Sequence, residues 1–520
     1  MAMVVKNNMS AINTLNTLNT NSTALSKSLA KVSSGMKING AADDASGYAI
    51  SERMRVQIRG LDQANANTQN GSSMMKTAEG AVSSTVDILK TLKEKVISAA
   101  NDDKTDADRQ AIQKELDQSI DQINDNANIT YNGKYLVDGS HNNKIDKATT
   151  TAFTNQSLDA GTKGTTEFVD MKDRNGNSLN IQSDDSISIS FVKQGKTYTT
   201  TALVSETKNM EGLIYKANVA SFKQQLIEKG YDFSNSTVSA SFSTLINGYS
   251  TSVSTYVSKL HTAQGGADSS TRYSNIHSVQ ISAGGRDALR ELDAGSAFGS
   301  VKLKAGLDYN VGNDAFIGKD NAGDTVFTAD RTNGISLHAI QSGVSGQISG
   351  VTISVSNTKG AVQKSINAAL DNFSESVRAE NKSNDNAITL QVGTKANQSI
   401  RVGLTDMRAE ALGLQSSTGD TLNVSTQKNA NAAINVLDNA LQKALDQQTT
   451  IGSIESRLEY TSTNLTTSSQ NVQASESTIR DADMAKEMTN YTKNNVLLQA
   501  AQSMLAQANQ SSSSVLSLLQ

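Results

Sequence analysis

Seven residues spaced seven apart, Leu437, Ala444, Ile451, Leu458, Leu465, Val472 and Ile479, commit the last quarter of the chain to one long helix with a continuous seam. From Leu437 to Ile479 such a helix would run roughly 60 Å at about 1.5 Å per residue, well beyond the usual globular helix. A matching stripe lies upstream at Leu61, Thr68, Met75, Val82, Leu89 and Val96, with a companion row at Ala78, Thr85, Leu92 and Ala99. Two stripes of this kind predict chain ends that close on each other, in an elongated molecule.

Composition narrows the rest. The chain has 520 residues, 37% of them apolar and 4% aromatic, with no tryptophan, which argues for several domains and against one large core. A net charge of -4 and a pI near 5.7 show no basic excess to neutralise phosphates, which sets nucleic acid aside as a partner. Without cysteine there are no disulfides, thiolate metal sites or cysteine catalysis. No apolar run approaches the length of a membrane span, and the first ten residues lack the apolar block of a cleavable signal, so secretion would need another route. Proline is also absent, where average usage would give roughly 26. Two readings stand: long helices exclude proline, or a chain that threads unfolded and refolds benefits from lacking slow cis/trans isomerisation.

Along the chain, Val5, Met9, Ile12, Leu18, Leu25, Leu29, Val32 and Met36 mark an amphipathic first helix. Gly35 and Asn39-Gly40 punctuate it, and a second helix starts near Asp43-Asp44. A third follows Asn101-Asp102-Asp103 and closes at Tyr131-Asn132-Gly133-Lys134. From about His141 to Asn386 the pattern becomes mixed α and β. Ile187, Ile189 and Phe191 alternate before a hairpin at Gln194-Gly195, Val351, Ile353 and Val355 form another strand, and helices are expected over Leu213 to Ile227 and over Val362, Ile366, Leu370, Phe373 and Val377. Ile388, Leu390 and Val392 then face Ile400, Val402 and Leu404 in a hairpin. After the heptad helix, Met484, Met488, Tyr491, Leu498 and Leu505 continue an apolar pattern to the tail Val515, Leu516, Leu518 and Leu519, which needs a partner to cover it.

Catalytic apparatus is not visible. His141, His261, His277 and His338 are scattered, with no metal-ligand spacing. Asp173 to Asn177 departs from a calcium loop in its glycine position and its missing glutamate, and reads as a turn. No phosphate loop or nucleophile elbow occurs. No cofactor is expected.

Two segments carry more than periodicity. Val32 to Gly47, with Gly35, Asn39, Asp43, Asp44 and Gly47, resembles the spoke sequence of bacterial flagellins, and Leu505 to Gln510 with Val515 to Leu519 resembles their C-terminal signature. The resemblance covers about residues 1–140 and 387–520. It implies mainly α terminal regions forming long antiparallel coiled-coil helices with a small β-hairpin, and an inserted α+β or mainly β outer domain. By the same resemblance, 1–44 and 481–520 form an inner coiled coil, 45–143 and 387–480 an outer helical core with its hairpin over 388–404, and 144–386 a variable exposed insert, taken as two subdomains or one.

The implied function is a structural subunit that polymerises into the flagellar filament for motility, secreted by the flagellar type III route. The implied partners are further copies of the chain, an export chaperone, and cap and hook-associated proteins. Self-assembly would rest in the inner core on Leu18, Leu25, Leu29, Val32, Met488, Leu498, Leu505, Leu516, Leu518 and Leu519. In the outer core it would rest on Met75, Val82, Leu89, Val96, Ile451, Leu458, Leu465 and Val472. A hook-filament junction protein of the same superfamily, or a filament subunit whose insert acts as an adhesin, are the alternatives. Family members bound by the innate immune receptor of animal hosts carry an arginine where an ungapped match puts Thr91, between Lys90 and Leu92 and near Glu94. Glu115 matches the family's acid. Threonine lacks the planar donor fork, so the resemblance implies weakened receptor binding.

Overall fold

A computed structural model describes residues 8–159, 161–162, 166–228, 233 and 341–518, together with strand segments at 280–282, 289–291, 307–310, 316–319, 325–327 and 335–339. Helix α1, Met9–Ser34, is capped by Asn8, whose side chain accepts from the Ala11 N–H, and it ends at Gly35 with φ of 69°. Its Thr14, Thr17, Thr20 and Thr23 hydroxyls donate to carbonyls four residues back, so these polar side chains are satisfied within the helix itself. Helix α2, Ala45–Ala99, runs 55 residues, sixteen of them ahead of Leu61, where the expected seam begins. Helix α3, Asp106–Ala127, opens on a capping box between Thr105 and Asp108. The hydrogen bonds from Thr105 hold the Asp108 carboxyl below the usual carboxylate range. Strands β1, Thr130–Tyr131, and β2, Lys134–Tyr135, meet at Asn132-Gly133, both at positive φ as a two-residue hairpin turn requires.

The middle region begins with β3, Ala152–Asn155. Strands β4, Ser186–Lys193, and β5, Lys196–Leu203, turn at Gln194-Gly195, again both at positive φ. Helices α4, Val204–Thr207, and α5, Met210–Glu228, follow. Then come β6, Gln280–Ser282; β7, Leu289–Glu291; β8, Leu307–Asn310; β9, Phe316–Lys319; β10, Thr325–Phe327; β11, Ile335–Ala339; and β12, Ile348–Ser356. One antiparallel sheet has the order β12-β4-β5, and Phe191, Ile189 and Ile187 pair there with Val351, Ile353 and Val355.

Residues 362–377 do not form the single helix expected from their spacing. Helix α6, Lys364–Leu370, stops, and β13, Phe373–Val377, joins a second sheet of order β13-β3-β11-β8. Two polar side chains account for the switch. Asn367 accepts the Val355 N–H at 2.7 Å, and Asp371 accepts the Ile353 N–H at 2.9 Å, so the end of α6 is spent on capping β12. Phe373 then pairs with Asn155, and Val362 is left exposed. Phe153, Phe168, Met171, Ile189, Leu213 and Leu337 belong to the core of this region.

Strands β14, Ile388–Gln391, and β15, Ser399–Val402, form the hairpin, with Ile400 and Val402 buried and Ile388 and Leu390 half-buried. The short α7, Ala409–Leu412, precedes the long helix α8, Gln427–Arg480, and α9, Met484–Leu518, completes the chain.

Two compact units emerge: Met1–Ser72, Leu390–Ile400 and Ser456–Gln520 in the first, and Ser73–Thr389 with Arg401–Glu455 in the second. In the first, α2 and α8 run antiparallel. Their links pass from Arg55 with Glu476 through Asp62 with Ser469 to Asn65 with Ser462, over a small cluster of Leu61, Ala64 and Leu465 with Val472. The hairpin lies tight on α2 here: a Cβ on Gly71 would stand 2.6 Å from Leu390 Cδ1.

In the second unit the antiparallel course of α2 and α8 is marked by Lys76 with Glu455 and Lys93 with Asp438. Leu116, Ile120, Ile123 and Ala127 of α3 are buried there, as are Met75, Val82, Leu89 and Val96 of α2. Lys443 and Glu375, at 3.3 Å and each only 7% exposed, join α8 to β13.

Candidate assembly interface

Helices α1 and α9 pack along each other in the first unit, antiparallel and through polar links. Asn8 Nδ2 donates to the Ala508 carbonyl at 3.2 Å, Asn21 Nδ2 to that of Leu497 at 3.4 Å, and Asn494 Nδ2 to Ser28 Oγ at 3.2 Å. Among the described residues of the two helices only Ser28 and Ala501 are buried. Leu18, Leu25, Val32, Leu498 and Leu505 are half-buried, while Leu29 and Met488 stand 51% and 45% exposed. The side chains of Leu516 and Leu518, and all of Leu519, lie outside the described residues, as does Val5. Met9, Ile12, Leu15, Val496, Leu497 and Met504 are exposed as well. Fully burying a side chain of this size is worth about 1.5–3 kcal/mol, so the pair withholds a large part of the stabilisation its apolar residues offer. So many exposed apolar side chains on one helix pair make it a candidate interaction site.

The outer stripe behaves differently. Met75, Val82, Leu89, Val96, Ile451 and Leu458 have no exposure, and Leu465 has 8%. Thr68 and Thr85 join the same buried row because their hydroxyls donate to the Ala64 and Ala81 carbonyls. These residues are closed within their own chain, and only toward Val472 and Ile479 does the burial fade.

The segment between α1 and α2 is shaped by its own side chains. Asp43 accepts the Asn39 N–H at 3.0 Å, and Asn39 Nδ2 donates back to the Ala30 carbonyl. Asp44 accepts from the N–H groups of Ser46 and Gly47, capping α2. A Cβ on Gly47 would meet Asp44 Oδ2 at 2.5 Å and Ile38 Cδ1 at 2.7 Å, so a larger residue there would have to displace the capping carboxylate and the Ile38 side chain. Gly35 turns the chain out of α1, and its carbonyl accepts the Ala482 N–H. Arg480, which periodicity did not single out, is buried against this segment. Its one sequence signal is its place at the end of the heptads, directly before Asp481-Ala482-Asp483.

On the outer surface, Lys90 pairs with Asp87 at 3.1 Å, the Thr91 hydroxyl donates to the Asp87 carbonyl, and Lys95 pairs with Glu115 at 3.0 Å. Glu94 is exposed beside them. Asp173 closes the turn expected for it, accepting from the N–H groups of Asn175 and Asn177, and the bonds from Asn177 hold its carboxyl below the usual range. His141 Nδ1 lies 3.1 Å from the Asn386 carbonyl, while His261, His277 and the His338 side chain lie outside the described residues. Among the described residues no group of three His, Asp or Glu is placed to hold a metal, and no helix is long and apolar enough to cross a membrane.

Residues 5–142 match the family model of the bacterial flagellin N-terminal helical region, and residues 434–519 that of the C-terminal helical region. The chain is 30% identical to a flagellin of Clostridium tyrobutyricum over 98% of its own length and 99% of the relative's. It is 26% identical to flagellin A of Helicobacter pylori over the whole of both chains. A flagellin of Bacillus subtilis is 41% identical over 187 residues, 35% of this chain and 61% of that one.

Proposed function

This chain belongs to the bacterial flagellins and is a structural subunit of the motility filament, and we propose that its terminal helices, within 1–44 and 481–520, form the inner layer of that polymer. The outer layer on this reading comprises 45–143 and 387–480, with the hairpin at 388–404, and 144–386 is the exposed insert. The observation that carries it is the half-open seam of α1 and α9, in contrast to an outer stripe that is already sealed. Leu18, Leu25, Leu29, Val32, Met488, Leu498 and Leu505 meet other copies of the chain, together with Leu516, Leu518 and Leu519 at its end. Met75, Val82, Leu89, Val96, Ile451, Leu458, Leu465 and Val472 act in assembly indirectly, by keeping the outer helices rigid.

Helices this poor in buried apolar surface do not offset the entropy of ordering alone, so they order on polymerisation. Export unfolded through the flagellar apparatus to the cell exterior is supported by the absence of proline and cysteine, and a chaperone, a cap and hook-associated proteins are the partners that family membership implies. The subunit is read as non-catalytic. Because Thr91 offers no guanidinium beside Lys90, Glu94 and Glu115, binding to the innate receptor is weakened. Seeded polymerisation followed by electron microscopy tests the reading. The full chain is expected to extend seeds into filaments, and removal of residues after Met504 is expected to abolish extension while leaving the second unit folded. Extension by the shortened chain would overturn it.

A further inference from the structure

Both helix junctions of the first unit meet at one side chain. Arg480 ends α8 and is 6% exposed. Its Nε donates to Met36 Sδ at 3.2 Å, its Nη1 donates to Glu52 Oε1 at 2.6 Å and Ser51 Oγ at 3.4 Å, and its guanidinium carbon lies 5.5 Å from the centre of the Tyr48 ring. Its carbonyl accepts the Lys37 N–H at 2.7 Å, and the next residue, Asp481, bridges to Met36. The hydrogen bond from Arg480 also holds the Glu52 carboxyl below its usual range. One residue therefore grips the chain just after α1, the first two turns of α2 and the chain just before α9.

The α1 and α9 seam has little of its own to fix its alignment. It buries only Ser28 and Ala501 among the described residues, and the cross-links of Asn8, Asn21 and Asn494 are single amide contacts to carbonyl and Ser groups of kinds that recur along both helices. A shift by one heptad would exchange half-buried leucines for similar ones, and in such seams register is set by specific polar contacts. We propose that Arg480 is a positioning residue that sets the register of α1 against α9, and so fixes the surface the pair offers to a second copy of this chain. The inference rests on the filament reading. Lysine would keep the charge and lose the planar fork that reaches Met36, Glu52 and Ser51 together.

The absence of cysteine makes register measurable without background. In the full chain, Ser28→Cys with Asn494→Cys joins positions already in contact and is expected to give an intramolecular disulfide in seeded filaments. Ser28→Cys with Glu487→Cys, one heptad away, is expected to give almost none. Adding Arg480→Gln is expected to bring up the displaced cross-link and raise the critical concentration about tenfold, the size of one lost charged hydrogen bond. Arg480→Lys and Glu52→Gln should fall between, and serve where the glutamine variant does not fold. Cross-linking confined to the first pair, with an unchanged critical concentration in all three variants, would overturn the inference while leaving the filament reading intact. Failure of the unmodified chain to extend seeds would overturn both.

Discussion

Leu89 and Leu29 each lie on an apolar row at helical spacing, yet Leu89 has no exposed surface and Leu29 is half in solvent. The rows differ in what covers them. Within the second unit, Met75, Val82, Leu89 and Val96 are closed by the subunit's own chain, whereas among the described residues α1 and α9 in the first unit pack mainly on each other. Periodicity states which face of a helix is apolar, and it is silent on whether the partner belongs to the same molecule.

The comparison can be broken most severely at the buried ion pair of the closed region. Glu375→Ala leaves Lys443 buried without its partner and is expected to cost about 3–5 kcal/mol in monomer unfolding. A denaturation midpoint within error of the parent would mean that the region is not closed as described. Next in size, Leu89→Ala should destabilise the monomer by about 3 kcal/mol. Asp371 sharpens the picture through pH. Burial pushes its carboxyl up to about 6, against a lowering contribution from the Ile353 N–H. A raised acid binds its proton more tightly when folded, so this group's contribution to stability falls as pH climbs from about 4 to about 6 and stays lost above. Asp371→Asn, which keeps the acceptor for Ile353, should therefore stabilise by about 2 kcal/mol at pH 7.5 and show no gain at pH 4. The smallest effect belongs to the open pair: Leu29→Ala should change monomer stability by less than about 0.5 kcal/mol while measurably raising the critical concentration for assembly.

Long elements and tight turns were legible in the sequence because their rules are local. The heptads from Leu437 onward mark most of α8, and Gln194-Gly195 announces its hairpin, while Asn132-Gly133 reads in the sequence only as the close of α3. The switch from α6 to β13 was not legible, since it depends on Asn367 and Asp371 reaching a strand more than ten residues back in the chain. Nor were the pairing of Lys443 with Glu375 or the contacts of Arg480 with Met36 and Glu52, which join residues 68 and more than 400 positions apart. Of the assembly surface, the sequence identified the apolar rows of α1 and α9, but their half-open state follows only from how few side chains the two helices bring to cover them.

Amide hydrogen exchange on the monomer and on the filament tests the central claim most directly. The account predicts fast exchange over 9–34 and 484–518 in the monomer and strong protection of both in the filament, with 75–96 and 437–451 protected in each state. Strong protection over 9–34 in the monomer would contradict it.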